Sequence, residues 1–109
     1  MSLGDKCNQQ TSDAVAQAVN SSNFVSVAAG NDRENASGSS TASEPSVYTV
    51  GASDMNDKSA SSSNYGSLVD IVAPGVNVLS TRNGSTTATE QSPVPPWLLA
   101  RHLEHYYDE

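Results

Sequence analysis

Several kinds of residue are scarce in this chain of 109 residues. It has one cysteine, Cys7, so it can form no internal disulfide, and no second cysteine supports a metal site. Hydrophobic residues make up 36% and aromatic residues 6% of the sequence, and both values are low for a self-sufficient core. This composition favours either a partly disordered chain or a piece of a larger domain.

Basic residues and long apolar runs are also scarce. Five Lys and Arg face 12 Asp and Glu, which gives a net charge of −7. Without a basic stripe, nucleic acid is not expected as a partner, and anionic membranes are excluded on the same ground. No apolar run is long enough to span a membrane, and the N-terminus shows no signal-peptide pattern.

The elements that the sequence does contain are short. Residues 11–20 predict a helix, capped by Thr11 or Ser12. Its apolar face consists of small residues suited to close packing on a sheet: Ala14, Val15, Ala18 and Val19. Four strands are predicted after it, at 24–30, 46–52, 68–75 and 76–82, and no further element is predicted after Asn83-Gly84.

These elements predict an α/β fold. The strand at 24–30 is apolar on both faces apart from Ser26, which is typical of a central strand in a parallel sheet. One helix is too few to cover both faces of such a sheet, which again indicates a fragment. The polar stretch 53–67 is a long loop, uncommon in a compact domain unless it is functional or braced.

Asn31 follows the predicted strand at 24–30 directly. Ligands of open α/β sheets gather outside the carboxyl ends of the strands, where an Asn amide can point into a cleft. An Asn after Gly30 is also a common turn former, and the residues alone favour that interpretation.

Five sequence blocks, taken together, resemble the subtilisin-like serine proteases, and most closely the fungal proteinase K group. They are MSLG at 1–4, VAAGND at 27–32, ASEPSVYTVGASD at 42–54, SNYGSLVDIVAPG at 63–75 and NVLST at 77–81. The resemblance implies that residues 1–86 form part of a subtilisin-like catalytic domain, a parallel sheet with helices packed on it. It also implies a monomeric, extracellular serine endopeptidase that acts on peptide or protein substrates.

The resemblance assigns roles to particular residues. Asn31 matches the Asn of the oxyanion hole, whose amide donates to the negative oxygen of the tetrahedral intermediate. The segment that pairs with extended substrate matches Ser2, Leu3 and Gly4. A wall of the pocket for the residue before the scissile bond matches Ala28, Ala29 and Gly30.

The resemblance also implies a structural calcium site. Its ligands match the backbone carbonyls of Pro45 and Val47 and the carboxylate of Asp70, and hard oxygen ligands are what Ca²⁺ requires. The alternative is that Asp70 caps backbone amides at the end of a strand.

The Asp–His–Ser triad of the family has no match in this sequence. The family's Asp and His segments precede the MSLG block, and the Ser motif GTSMAT is absent after NVLST. The chain is therefore predicted to be catalytically inactive alone. The alternatives are a non-catalytic peptide- or protease-binding fragment and a non-functional truncated product.

Residues 87–109 differ in composition from the rest. Ser92–Glu109 holds the only Trp, both His, three of the five Pro and two of the four Tyr. Codons for Pro93 to Leu99 can be written so that a frame starting one base before the Val94 codon encodes GTSMAT. This favours a frameshifted tail over its alternative, a Pro-rich linker with a short amphipathic helix.

Overall fold

The computed structural model of the chain describes residues 1, 6–82 and 85–90. One α-helix, α1, spans Gln9–Asn20, and a 3₁₀ turn spans Ala36–Gly38. The strands are β1 (Ser26–Ala28), β2 (Tyr48–Ser53), β3 (Ile71–Pro74), β4 (Val78–Arg82) and β5 (Ser85–Glu90). The predictions for Ser2, Leu3 and Gly4, and most of those for the tail 87–109, lie outside the described residues.

A three-stranded parallel sheet with the order β1-β2-β3 forms the body of the fold. The central strand is β2, and all of its residues except the first are buried. Among the described strands β1 pairs with β2 alone, and residues 2–5 are not described, so the prediction that the strand at 24–30 is central stays a prediction. The α/β architecture itself is confirmed.

The outer side of β1 contacts the backbone of Met1. The Met1 ammonium donates a hydrogen bond to the Ser26 carbonyl, and the Ala28 amide donates to the Met1 carbonyl over 3.0 Å. Burial lowers the pKa of that ammonium below its ordinary value. Met1 therefore occupies a position beside β1 that a neighbouring strand would take.

The α1 helix begins two residues before its predicted start. Its N-cap is Asn8, not Thr11 or Ser12, because the Asn8 side chain accepts hydrogen bonds from the amides of Gln10 and Thr11. Val15 is buried against the sheet, whereas Ala14 is exposed. The core cluster on this face consists of small side chains: Val15, Val27 and Val47, with Val19 and Val25 packed against it.

The strands β4 and β5 form an antiparallel hairpin, with Val78 opposite Glu90 and Arg82 opposite Ser85. The prediction that no element follows Asn83-Gly84 was wrong for Ser85–Glu90. An Asn-Gly pair between two strands is a strong signal for a two-residue hairpin connection, and it outweighs the low apolar content of the second strand.

An apolar groove of about 440 Å³ lies between α1 and the start of β1. Its lining residues are Met1, Thr11, Ala14, Val15, Ala18, Phe24, Val25 and Ser26. The groove leaves one face of α1 uncovered.

Within the described part of the chain, α1 is too short and too polar to cross a membrane.

We predict that Val27→Ala destabilises the chain by about 2 kcal/mol, because Val27 is 0% exposed and its loss leaves a cavity. The matched control is Val72→Ala on β3, where the same side chain is 54% exposed and the change should be within about 0.5 kcal/mol. Urea unfolding followed by circular dichroism measures both variants. Equal shifts of the two midpoints would contradict this placement of the core.

Candidate functional site

The turn at 29–34 carries the candidate oxyanion donor away from the end of β1. The Ala29 amide still belongs to the sheet and donates to the Val50 carbonyl over 2.8 Å. The next residue, Gly30, has a φ of +104°, a conformation that favours glycine, and residues 31–34 bend away from the strand. Asn31 follows as an exposed residue, and among the described residues its side-chain amide has no hydrogen-bond partner. That amide is free to donate to a group outside the chain.

The side chain of Asn64 fills the inside of this turn. It is 5% exposed, and its Nδ2 donates to the Ala29 carbonyl over 2.9 Å. Its Oδ1 accepts from the amides of Asp32 and Glu34, each over 2.9 Å. The backbone amide of Asn64 also donates to the Gly30 carbonyl over 2.9 Å. One residue thus makes four hydrogen bonds to the turn.

Backbone hydrogen bonds continue the contact between the two segments. The Arg33 amide donates to the Ser62 carbonyl over 3.1 Å, and the Tyr65 amide donates to the Glu34 carbonyl over 3.0 Å. The Arg33 Nε also donates to the Ser61 carbonyl over 2.7 Å. The long loop 53–67 is therefore braced, which is one of the two conditions under which such a loop was expected.

The residues predicted to form a pocket wall lie together at this strand end. Ala29 is 1% exposed, so its methyl group packs in the interior. Ala28 and Gly30 are partly exposed beside it. The predicted substrate-pairing segment, Ser2 to Gly4, lies outside the described residues.

The residues predicted to bind calcium lie near the start of β2. The Asp70 carboxylate is exposed, and its Oδ2 accepts a hydrogen bond from the Thr49 amide over 2.7 Å. The Asp70 amide donates in turn to the Thr49 carbonyl over 2.9 Å. Among the described residues, no three His, Cys, Asp or Glu side chains lie together. A metal here would depend on backbone carbonyls such as those of Pro45 and Val47.

Comparison with known proteins identifies the family. The Subtilase family model matches residues 1–97. The chain belongs to the subtilase family. A subtilisin-like protease of Coccidioides posadasii is 54% identical over 89 residues, which are 82% of this chain and 22% of the relative. Subtilisin-like protease 1 of Trichophyton rubrum is 52% identical over 84 residues, 77% of this chain and 17% of the relative.

The fold of the described residues agrees with that family. The crystal structure of a cold adapted subtilisin-like serine proteinase superposes with a TM-score of 0.77 at 36% identity, covering 83% of this chain and 33% of that one. The subtilase segment described above spans about a fifth of the length of the curated relatives that it matches. Resemblance and comparison therefore agree on the family and on the fold.

Asn64 is the site residue that sequence reasoning missed. It lies in the block SNYGSLVDIVAPG, which carried the family resemblance, but no role was assigned to it. The sequence offered one signal for Asn64: it is an amide residue in a loop that was expected to be braced, two residues before Gly66. That signal does not say which turn the amide contacts, since the contact spans more than 30 residues.

We predict that Gly30→Ala destabilises the turn by about 1–3 kcal/mol. A Cβ at Gly30 would lie 2.5 Å from Asn64 Nδ2, and the φ of +104° is one that L residues rarely adopt. The control is Gly38→Ala, where no atom lies within 4 Å of the new Cβ and the change should be small. Urea midpoints of the two variants measure the difference, and a neutral Gly30→Ala would show that the turn is not formed as described.

Proposed function

We propose that this subtilase chain contributes the oxyanion-hole segment of a serine endopeptidase. The observation that carries the proposal is the position of Asn31, an exposed side-chain amide without a described partner at the carboxyl end of β1. In acyl transfer, such a donor stabilises the negative oxygen of the tetrahedral intermediate more than it stabilises the substrate carbonyl. The pocket wall at Ala28, Ala29 and Gly30 would lie next to the reacting group.

The triad would come from other segments of a whole protease. None of the sequence blocks shared with the family carries the Asp, the His or the nucleophilic Ser, and His102 and His105 do not match the context of the family's His. Oxyanion stabilisation without a triad retains activity only in an intact cleft. By this proposal the chain alone does not hydrolyse peptides. Secretion, a monomeric state and protein substrates belong to the same proposal and rest on the family resemblance.

We predict that Asn31→Ala lowers kcat about 100- to 1,000-fold in a complete protease domain that contains this segment, with little change in KM. The reason is that the donor acts on charge that develops in the transition state. Asn56→Ala is the matched control, because Asn56 is also exposed but lies in the loop after β2. A fluorogenic peptide assay measures both variants.

Two outcomes count against this proposal. Equal kcat values for the two variants would show that Asn31 takes no part in the reaction. Turnover by the isolated 109-residue chain that survives further purification and is blocked by a serine-directed inhibitor would show that the chain holds its own nucleophile.

We also propose a structural calcium ion bound by the carbonyls of Pro45 and Val47 and by Asp70. The chemistry of these donors suits Ca²⁺, which takes carboxylate and backbone carbonyl oxygens. The hydrogen bond from the Thr49 amide holds one carboxylate oxygen of Asp70 and leaves the other available. A bound ion would supply positive charge to a chain whose net charge is −7.

Asp70→Asn distinguishes calcium binding from simple capping. An Asn can still accept from the Thr49 amide but loses the negative charge, whereas Asp70→Ala loses both. If calcium binds, a few millimolar Ca²⁺ raises the melting temperature of the original chain and fails to raise that of Asp70→Asn. If Asp70 only caps Thr49, Ca²⁺ has no effect on any variant, and Asp70→Ala alone lowers the melting temperature.

A further inference from the structure

We infer that Asn64 is the positioning residue of the oxyanion donor, an inference that rests on the role proposed for Asn31. No atom of Asn64 would touch substrate. Its side chain instead fixes the backbone on both sides of Asn31, so that the Cα–Cβ bond from which the Asn31 amide extends has one direction before substrate arrives.

The hydrogen bonds of Asn64 bracket Asn31 along the chain. Nδ2 binds the carbonyl of Ala29, two residues before Asn31, and Oδ1 binds the amide of Asp32, the residue after it. The Asn64 backbone amide binds the Gly30 carbonyl, the residue immediately before. Every residue from 29 to 32 except Asn31 itself is therefore tied to Asn64.

The turn needs this restraint because its own backbone conformation is uncommon. Gly30 has a φ of +104° and Arg33, which is not a glycine, has a φ of +55°. Gly30 adopts this region at little cost, whereas Arg33 does so only where the surrounding structure holds it. Inside this turn the restraint comes from one planar amide that supplies a donor at one end and an acceptor at the other.

Neither Asp nor Ala at position 64 preserves both the donor and the acceptor of the Asn64 amide. Asp at position 64 would keep the acceptor, lose the donor to Ala29, and bring a third carboxylate next to the exposed Asp32 and Glu34. Ala would leave the Ala29 carbonyl and the amides of Asp32 and Glu34 without their partner. Since Asn64 is 5% exposed, water cannot replace these bonds without opening the turn.

Amide hydrogen exchange on the full 109-residue chain tests the restraint directly. We expect Asn64→Ala and Asn64→Asp to accelerate exchange at Asp32 and Glu34 by about 10-fold or more, with Val50 in β2 unchanged. The matched control is Ser63→Ala, the adjacent buried residue, whose Oγ accepts from the Ala52 amide and donates to the Asn64 carbonyl but makes no described hydrogen bond to residues 29–34. That control should accelerate exchange at Ala52 and leave Asp32 and Glu34 unchanged.

The catalytic consequence is tested by a double-mutant cycle. Residues 27–66 would replace the matching segment of the Coccidioides posadasii relative, and kcat would be measured for Asn31→Ala, Asn64→Ala and the double variant. We expect Asn64→Ala to lower kcat about 10-fold when Asn31 is present and to have almost no effect when Asn31 is already Ala. KM should change little in either background.

These results test two claims separately: that Asn64 restrains the turn, and that it positions the Asn31 donor. Unprotected Asp32 and Glu34 amides in the original chain, or equal acceleration at Val50, overturn the restraint. Additive effects in the cycle overturn the positioning role, since Asn64 would then act independently of Asn31. An inactive chimera carrying the original segment contradicts the proposed function instead, and hydrogen exchange still decides whether Asn64 restrains the turn.

Discussion

The geometry of the candidate site depends on one buried carboxamide, that of Asn64. A chain that leaves a parallel strand and reverses direction must find new partners for backbone groups that the sheet no longer pairs. For the Ala29 carbonyl and the amides of Asp32 and Glu34 those partners come from the side chain of Asn64, which lies 30 to 35 residues away in sequence. No buried side-chain nitrogen or oxygen in the described part of the chain lacks a partner. The turn is thus as well satisfied as the sheet it leaves.

The sheet that supports this turn is built from small side chains. The largest fully buried side chains of the described residues are Val27, Thr41, Thr49 and Ser40, so three of the four carry a hydroxyl group. Their burial yields less hydrophobic stabilisation than Leu or Phe would, and hydrogen bonds such as that from Thr49 Oγ1 to the Ala42 carbonyl must offset the cost of desolvating them. The apolar groove beside α1 leaves part of this modest core open. Stability in this segment is therefore drawn from polar contacts that also shape the site.

Local sequence patterns predicted the types of the helix and strands. The residues at which these elements begin and end depend on long-range packing, which local patterns do not contain. The helix and the three parallel strands follow from apolar spacing and from Pro and Gly positions, which local sequence reports well. The prediction of β1 as a central strand stays a prediction, because an apolar run indicates that both faces are covered but not which strands lie beside it. The role of Asn31 was predicted only through family resemblance and stays a prediction, since Asn after Gly is an ordinary turn signal. Asn64 was missed because a contact between two loops leaves no periodic trace in either of them.

Under the role proposed for Asn31, rigidity at this turn has a chemical consequence. An amide donor stabilises a developing oxyanion most effectively when it is already oriented, because no free energy is then needed to order it during the reaction. A free Asn31 on a mobile loop would lose conformational entropy at that moment. Here the backbone that carries Asn31 is ordered during folding, where the hydrogen bonds of Asn64 to Asp32 and Glu34 offset the left-handed φ of Arg33 between them. The same bonds that stabilise a strained turn would thereby place the donor, so stability and transition-state stabilisation share one set of contacts.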